Sequence, residues 1–265
     1  MKLQKYIQPL GKLPLVLVPS LVILSAFPAQ LLAQSSPMQI SLKFPQAEDR
    51  GAPDKTIGGG RRGTSCIKLD PGKPSLTALM PNRKNTGNTA KDGTSLFVYV
   101  PKSTAKTAEF LVMDEEGEEI YKQELKMTGT SGIMKASVPE KVPLKVGKSY
   151  TWYFTIVCNP EDSNSNESVK GMINRVALKP SEQKLLQNKD LYKQAEIYAQ
   201  NNYWYNTLEA MMEIRKEKPN EWRELLSSVG LKELADAPNL SETTPNKPNL
   251  SQTTPNKPNL SKPKP

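Results

Sequence analysis

The sequence predicts a mainly β fold with a helical C-terminal part, on three observations. From Tyr150 to Cys158 large apolar side chains alternate with smaller or more polar ones. Tyr150, Trp152, Phe154, Ile156 and Cys158 share one face; Ser149, Thr151, Tyr153, Thr155 and Val157 share the other. That is the period of a strand that buries one face. Just upstream, Leu144, Gly147 and Tyr150 have the spacing L-x-x-G-x-x-Y, which marks the tyrosine corner leading into strand F of immunoglobulin-like sandwiches. Beyond residue 178 the apolar period lengthens from that of strands to that of helices. Together these predict an immunoglobulin/fibronectin-like antiparallel sandwich packed with a tetratricopeptide-like helical hairpin.

In chain order, residues 1–33 read as a secretory signal peptide. Lys2, Lys5 and Lys12 form its charged start and LPLVLVPSLVILSAF its apolar centre. Ala33 is the small residue at the cleavage point. Pro14, Pro19 and Pro28 interrupt the apolar run, which is short for a span of about 20 residues. Membrane contact is therefore expected only through this segment, where it stays uncleaved. Residues 34–63 read as a linker ending in the Gly-Arg segment Gly58-Gly59-Gly60-Arg61-Arg62-Gly63.

Residues 64–178 carry seven strand-like runs. They are LTALM (76–80), SLFVYV (95–100), AEFLVMD (108–114), EIYKQELKM (119–127), GIMKASV (132–138), the alternating stretch, and VKGMINRVAL (169–178). The third and fourth form a hairpin around Gly117. In the last, Met172, Val176 and Leu178 are expected to share the buried face. Seven strands in about 115 residues is the size of one such sandwich.

Residues 179–235 read as helical. Ser181 is placed as the N-cap of a first short helix and Asp190 as that of the next. A following helix carries Trp204, Leu208, Met211 and Met212, and WRELLSSVG makes the last, closed by Gly230. Leu191, Ala195, Tyr198, Met211, Ile214 and Pro219 fit one tetratricopeptide-like unit. A single unit cannot bury its own face, so it is expected to lie against the sandwich. Residues 236–265 repeat a decapeptide: PNLSETTPNK, PNLSQTTPNK, then PNLSKPKP. Almost no residue there is apolar, so a disordered, polyproline-leaning tail is expected.

Composition removes whole classes of chemistry. The chain of 265 residues has no histidine, which excludes Ser-His-Asp and Cys-His catalysis and His-ligated zinc. Its net charge of +9 sits largely at the ends, in Lys2, Lys5 and Lys12 and in Lys247, Lys257, Lys262 and Lys264 against Glu242. No basic face for nucleic acid is implied. Gly58–Gly63 is not a P-loop, because Thr64 stands where the lysine must. Asp114, Glu115, Glu116, Glu118 and Glu119 crowd one turn without the spacing of a calcium loop. No metal or cofactor is therefore expected. The two cysteines, Cys66 and Cys158, are expected to pair in an exported chain.

S-x-x-K occurs at Ser103–Lys106 and Ser181–Lys184. That chemistry also needs S-D-N and K-T-G elements, which are missing. The candidate binding residues are Arg61 and Arg62, beside a glycine-rich anion nest, and Tyr203, Trp204 and Tyr205, as a stacking platform for a sugar or peptide.

The chain resembles the cyanobacterial domain-of-unknown-function family 928. The resemblance rests on GGGRRGTSC (58–66), LTALMP (76–81), FVYVP (97–101), AEFLVMDEEG (108–117), GIMKASVP (132–139), LKVGKSYTWYFTIVCNP (144–160) and AEIYAQNNYWYNTLEAMMEIR (195–215). It implies an exported protein with no established activity, so it transfers no catalytic residue. It also implies that the Gly-Arg lead-in is a recurring element. The expected function is a non-enzymatic binding or assembly module of the periplasm or cell envelope, with an envelope protein or glycan as partner. The alternative is an envelope hydrolase with a Ser-Lys or carboxylate site.

Overall fold

A computed structural model describes residues 42–45, 66–69, 72, 74–81 and 85–240. The expected signal segment, the Gly-Arg lead-in with Arg61 and Arg62, and the repeat beyond Leu240 lie outside the described residues. The strands are β1 (Ile67–Lys68), β2 (Thr77–Ala78), β3 (Thr86–Thr89), β4 (Thr94–Val100), β5 (Lys102–Ser103), β6 (Thr107–Met113), β7 (Glu119–Lys126), β8 (Gly132–Val138), β9 (Ser149–Val157) and β10 (Glu167–Arg175). The helices are α1 (Pro180–Leu185), α2 (Leu191–Gln200), α3 (Trp204–Ile214) and α4 (Pro219–Ser228).

Two sheets share one hydrophobic core. One has the order β3-β10-β9-β6-β7 and the other β2-β4-β8. Every pairing is antiparallel except β3 with β10. Strand β9 is buried at every second residue, with Tyr150, Trp152, Phe154 and Ile156 inward. Its entry is a tyrosine corner. Leu144 is buried, Gly147 takes a φ of +82°, and the Lys145 amide donates to the Tyr150 hydroxyl at 2.8 Å.

A disulfide joins Cys66 to Cys158 with their Cα atoms 5.3 Å apart. It ties β1, which pairs with β5, to the far end of β9. The closed loop spans 92 residues, worth about 4–5 kcal/mol on the chain-entropy model.

All seven expected runs contain strands, but β10 turns over relative to expectation. Val169, Gly171, Ile173 and Arg175 are buried, whereas Met172 is exposed. The reason is Gly171. A Cβ there would lie 2.5 Å from the Trp152 indole and from the Asn85 carbonyl oxygen. The inward slot belongs to Trp152, so the strand carries a gap where its parity signal should be. Val176 and Leu178 pack instead, beyond the strand, on a small cluster of Ala90, Tyr198 and Tyr203. Strands β1, β3 and β5 were not expected. Strand β3 reads Thr-Gly-Asn-Thr, which has no apolar periodicity.

The helices dock on the strands. Helix α3 packs on β3 and β4. The Trp204 indole donates to the Leu79 carbonyl at 2.9 Å, and the Trp152 indole donates to the Tyr205 hydroxyl at 2.9 Å. The Tyr205 hydroxyl in turn donates to the Met172 carbonyl. Asp190 caps α2, accepting from the amides of Tyr192 and Lys193. Helix α1 is capped differently from expectation. Lys179 is its N-cap and Ser181 is the second residue of its first turn, exposed; the Lys179 amide donates to the Glu182 carboxylate at 2.8 Å. Helix α4 begins at Pro219, before the tryptophan expected to open it, with proline in the first turn, where its missing N–H costs nothing.

Part of the expected linker is core. Leu42 and Phe44 are buried while Lys43 and Pro45 are exposed. The Phe44 ring meets Trp204 edge-on at 4.8 Å, and its amide donates to Ser228 Oγ.

Candidate functional site

The site lies at the outer edge of β8. Strand β8 is the last strand of its sheet, paired with β4 on one side only. At Ile133 the other side is taken by the end of the helical region, where Asn239 forms a parallel bridge. The Ile133 amide donates to the Pro238 carbonyl at 2.7 Å, and the Leu240 amide donates to the Ile133 carbonyl at 2.8 Å. A short extended segment thus adds to a sheet edge through main-chain bonds, the mode called strand addition.

Elements on both sides position this segment. The Arg215 guanidinium at the end of α3 donates to the Ala237 carbonyl at 3.1 Å and lies 5.8 Å over the Trp222 ring. The Trp222 indole donates to the Ala235 carbonyl. Arg223 pairs with Asp236 at 2.5 Å. Residues 236–240 therefore belong to the folded body and not to the expected tail.

Beside the segment is a cleft of about 450 Å³, lined by Phe97, Ile133, Lys135, Met212, Glu213, Arg215, Lys216, Asn239 and Leu240. Four of its lining residues, Phe97, Ile133, Met212 and Leu240, are apolar, and three cations are set against one carboxylate. Burial pushes the Arg215 pKa down from its ordinary value, yet guanidinium stays charged at any ordinary pH. The cleft therefore offers apolar contacts together with net positive charge.

The expected binding aromatics lie elsewhere. Trp204 is 0% exposed, Tyr205 1% and Tyr203 5%. None offers a ring face to a ligand, so the stacking platform is corrected to core. The physical reason is the bonding described above, which fixes each polar tip inside. Tyr203 is held by its hydroxyl, which donates to the Glu182 carboxylate at 2.8 Å. Burial first, and then that carboxylate, push its pKa up to about 12.

The S-x-x-K serines are also accounted for. Ser103 lies in β5, buried; its Oγ accepts from the Ala105 amide and sits 3.4 Å from Cys66 Sγ. Ser181 and Lys184 are both exposed on α1. A different serine does meet a carboxylate. Ser95 Oγ donates to Glu209 at 2.5 Å, and Lys91 Nζ lies 2.9 Å from the other oxygen. Burial raises the Glu209 carboxyl, but Ser95 and Lys91 outweigh it and hold the pKa below its ordinary value. Burial lowers the Lys91 ammonium, and Glu209 outweighs that and raises it. The lowered pKa makes the Glu209 carboxylate a weak base toward the serine it touches, and the Lys91 ammonium, kept protonated, has no lone pair to accept a proton.

The acidic hairpin turn is likewise engaged. The Asp114 carboxylate accepts from the amides of Glu116 and Glu118. Glu115 bonds Lys148 and the Ser149 amide, which hold its pKa low. Among the described residues no three His, Cys, Asp or Glu side chains group as a metal site. Among the same residues no helix is long and apolar enough to cross a membrane.

The fold and site define a mainly β protein with C-terminal helices and an edge strand to which a short segment of the same chain is added. The chain belongs to the domain-of-unknown-function family DUF928, whose model matches residues 57–239. No curated protein matches. Among solved structures, the fn3 domain of the human collagen alpha-1(XX) chain is similar over 46% of this chain and 94% of that domain, with 14% identity and a TM-score of 0.25. A score that low carries no argument about this chain.

Two features of the site had readable signals. Gly132 opens a strand-like run, and a glycine in a strand often marks close approach of another backbone. Leu240 is an apolar residue directly after a helical region. The cleft cations Lys135, Arg215 and Lys216 had none, because they come from a strand and a helix about 80 residues apart in sequence.

Proposed function

We propose that this chain is a non-enzymatic, exported module of the cell envelope that binds an extended polypeptide segment by strand addition at β8. The single observation that carries the reading is the bridge at Ile133, where the edge already accepts a three-residue segment beside a cleft with net positive charge. The preferred partner is an envelope protein segment with apolar and acidic residues. The disulfide is compatible with an oxidising compartment, which supports export. The hydrolase alternative is weaker, because Ser95 meets a carboxylate, Glu209, that its ion pair with Lys91 makes a poor base.

The finer fold reading supports the same role. We take the sheets as immunoglobulin/fibronectin-like: the first, second and fifth of the seven expected strands make one sheet, and the third, fourth, sixth and seventh lie in the other, with a tyrosine corner before the sixth. The pair α2 and α3 is read as tetratricopeptide-like from its residue spacing alone.

The test immobilises the mature chain and passes envelope extract over it at low and high salt. A specific partner should be retained at low salt and lost when Lys135 and Lys216 are both changed to Glu. Retention indifferent to salt and to both substitutions removes this reading.

A further inference from the structure

The segment that adds to β8 is Pro238-Asn239-Leu240, and the same three residues recur at 248–250 and 258–260. We propose that the β8 edge is a Pro-Asn-Leu site and that the second and third copies are alternative occupants of it within the same chain. The inference rests on the strand-addition reading and names the segments of this chain that compete for the edge.

Gly132 shapes the site for this segment. A Cβ there would lie 2.6 Å from the Pro238 carbonyl oxygen and 2.8 Å from Leu240 Cδ2. The segment therefore lies directly over a residue with no side chain. Recognition runs through the Pro238 carbonyl, the Leu240 amide and the Leu240 side chain, which packs on the core. Each later copy supplies the same three groups in the same order.

The copies differ where it matters for ranking. The first two decapeptides are identical except at one place, Glu242 against Gln252; the third has Lys262 there. That residue follows the leucine by two, within about 7 Å of extended chain, and the leucine lines a cleft with Lys135, Arg215 and Lys216 against Glu213. Charge thus ranks the copies first, second, third. Tether length ranks them the same way. Loop closure makes a copy twenty residues away about threefold less concentrated at the site than one ten residues away. The first copy dominates, the others exchange with it, and each slip moves the exit of the tail by ten residues.

Amide hydrogen exchange on the full mature chain tests this. The Ile133 amide stays bonded whichever copy is seated, but the Leu240 amide is bonded only when the first copy is. Ile133 should therefore be protected several-fold more than Leu240. Changing Leu250 and Leu260 to Ser should raise Leu240 protection until the two match. Glu242→Gln should widen the gap by bringing the first copy level in charge with the second. Gly132→Ala should strip protection from both amides while Phe154 in β9 stays protected, which shows that the fold is intact. Equal protection of Ile133 and Leu240, unchanged by the Leu250 and Leu260 substitutions, overturns the inference but leaves strand addition standing. Absence of protection at both in the unaltered chain overturns strand addition itself. A gap that grows with protein concentration overturns the same-chain assignment, because a second copy would then be the donor.

Discussion

The C-terminal part of this chain meets the small sheet in two ways. Along α3 the contact is made by side chains: fully buried Trp204 and half-buried Glu209 each place a polar tip on a defined partner, the Leu79 carbonyl and Ser95. At the edge of β8 the contact is made by main chain: two hydrogen bonds and one half-buried leucine hold Pro238–Leu240. The difference teaches what each contact is for. Side-chain contacts specify one occupant, because no other residue fits the same cavity and the same acceptor. Main-chain contacts accept any segment with a free amide and carbonyl at the right spacing. The first is scaffold, and the second is the site proposed to exchange its occupant.

Three perturbations separate them. Trp204→Ala should cost about 3–5 kcal/mol, since it empties a fully buried indole site and orphans the Leu79 carbonyl. Urea denaturation followed by far-ultraviolet dichroism reads this. A loss under about 1 kcal/mol would mean that α3 is not part of the cooperative core.

Glu209→Gln should cost roughly 1–2 kcal/mol near neutral pH, by weakening charged bonds to Ser95 and Lys91. The sign of its pH dependence follows from a carboxyl held below its ordinary value of 4.5. The stabilisation is complete above that ordinary value and fades as pH falls through the lowered pKa of the folded state. The variant and the parent should therefore converge in stability once pH falls below the lowered pKa of the folded state. A difference that persists there assigns the effect to packing and not to charge.

Leu240→Ser should move the urea midpoint least, by less than about 1 kcal/mol, because one half-buried leucine is lost and the edge stays open to other segments. A cost as large as that of Trp204→Ala would collapse the comparison and make the β8 contact scaffold as well.

The legibility of the fold follows the same line. Strand β9 is readable because every inward position holds a large apolar side chain. Its neighbour β10 is misread because the inward slot at Gly171 is filled by the Trp152 ring. Periodicity records only what a residue itself brings, not what a neighbour puts in its place. Strand β3 was missed for a related reason. It pairs in parallel with β10 and sits under α3, with Tyr205 and Trp204 against Gly87, so it contributes backbone and not apolar side chains. Leu42 and Phe44 did carry an alternating signal, too short to stand out beside a proline-rich stretch.

The candidate site was less legible still. Tyr203, Trp204 and Tyr205 are the residue types that bind ligands, and the same types that fill cores. Only burial decides between the two, and burial is a property of the whole fold. The repeat was visible, but nothing in PNLSETTPNK announces that its first three residues continue a sheet.

By itself the sequence determined the strand runs, the tyrosine corner, the cap at Asp190 and the absence of histidine chemistry. These are local: they depend on residue identity and spacing within a turn or a strand. The sheet order, the burial of the aromatic triplet and the docking of Pro238–Leu240 over Gly132 were decided by tertiary structure alone. Each is a meeting of segments far apart in the chain. It is fixed by which space the rest of the molecule leaves open, and no local pattern records that space.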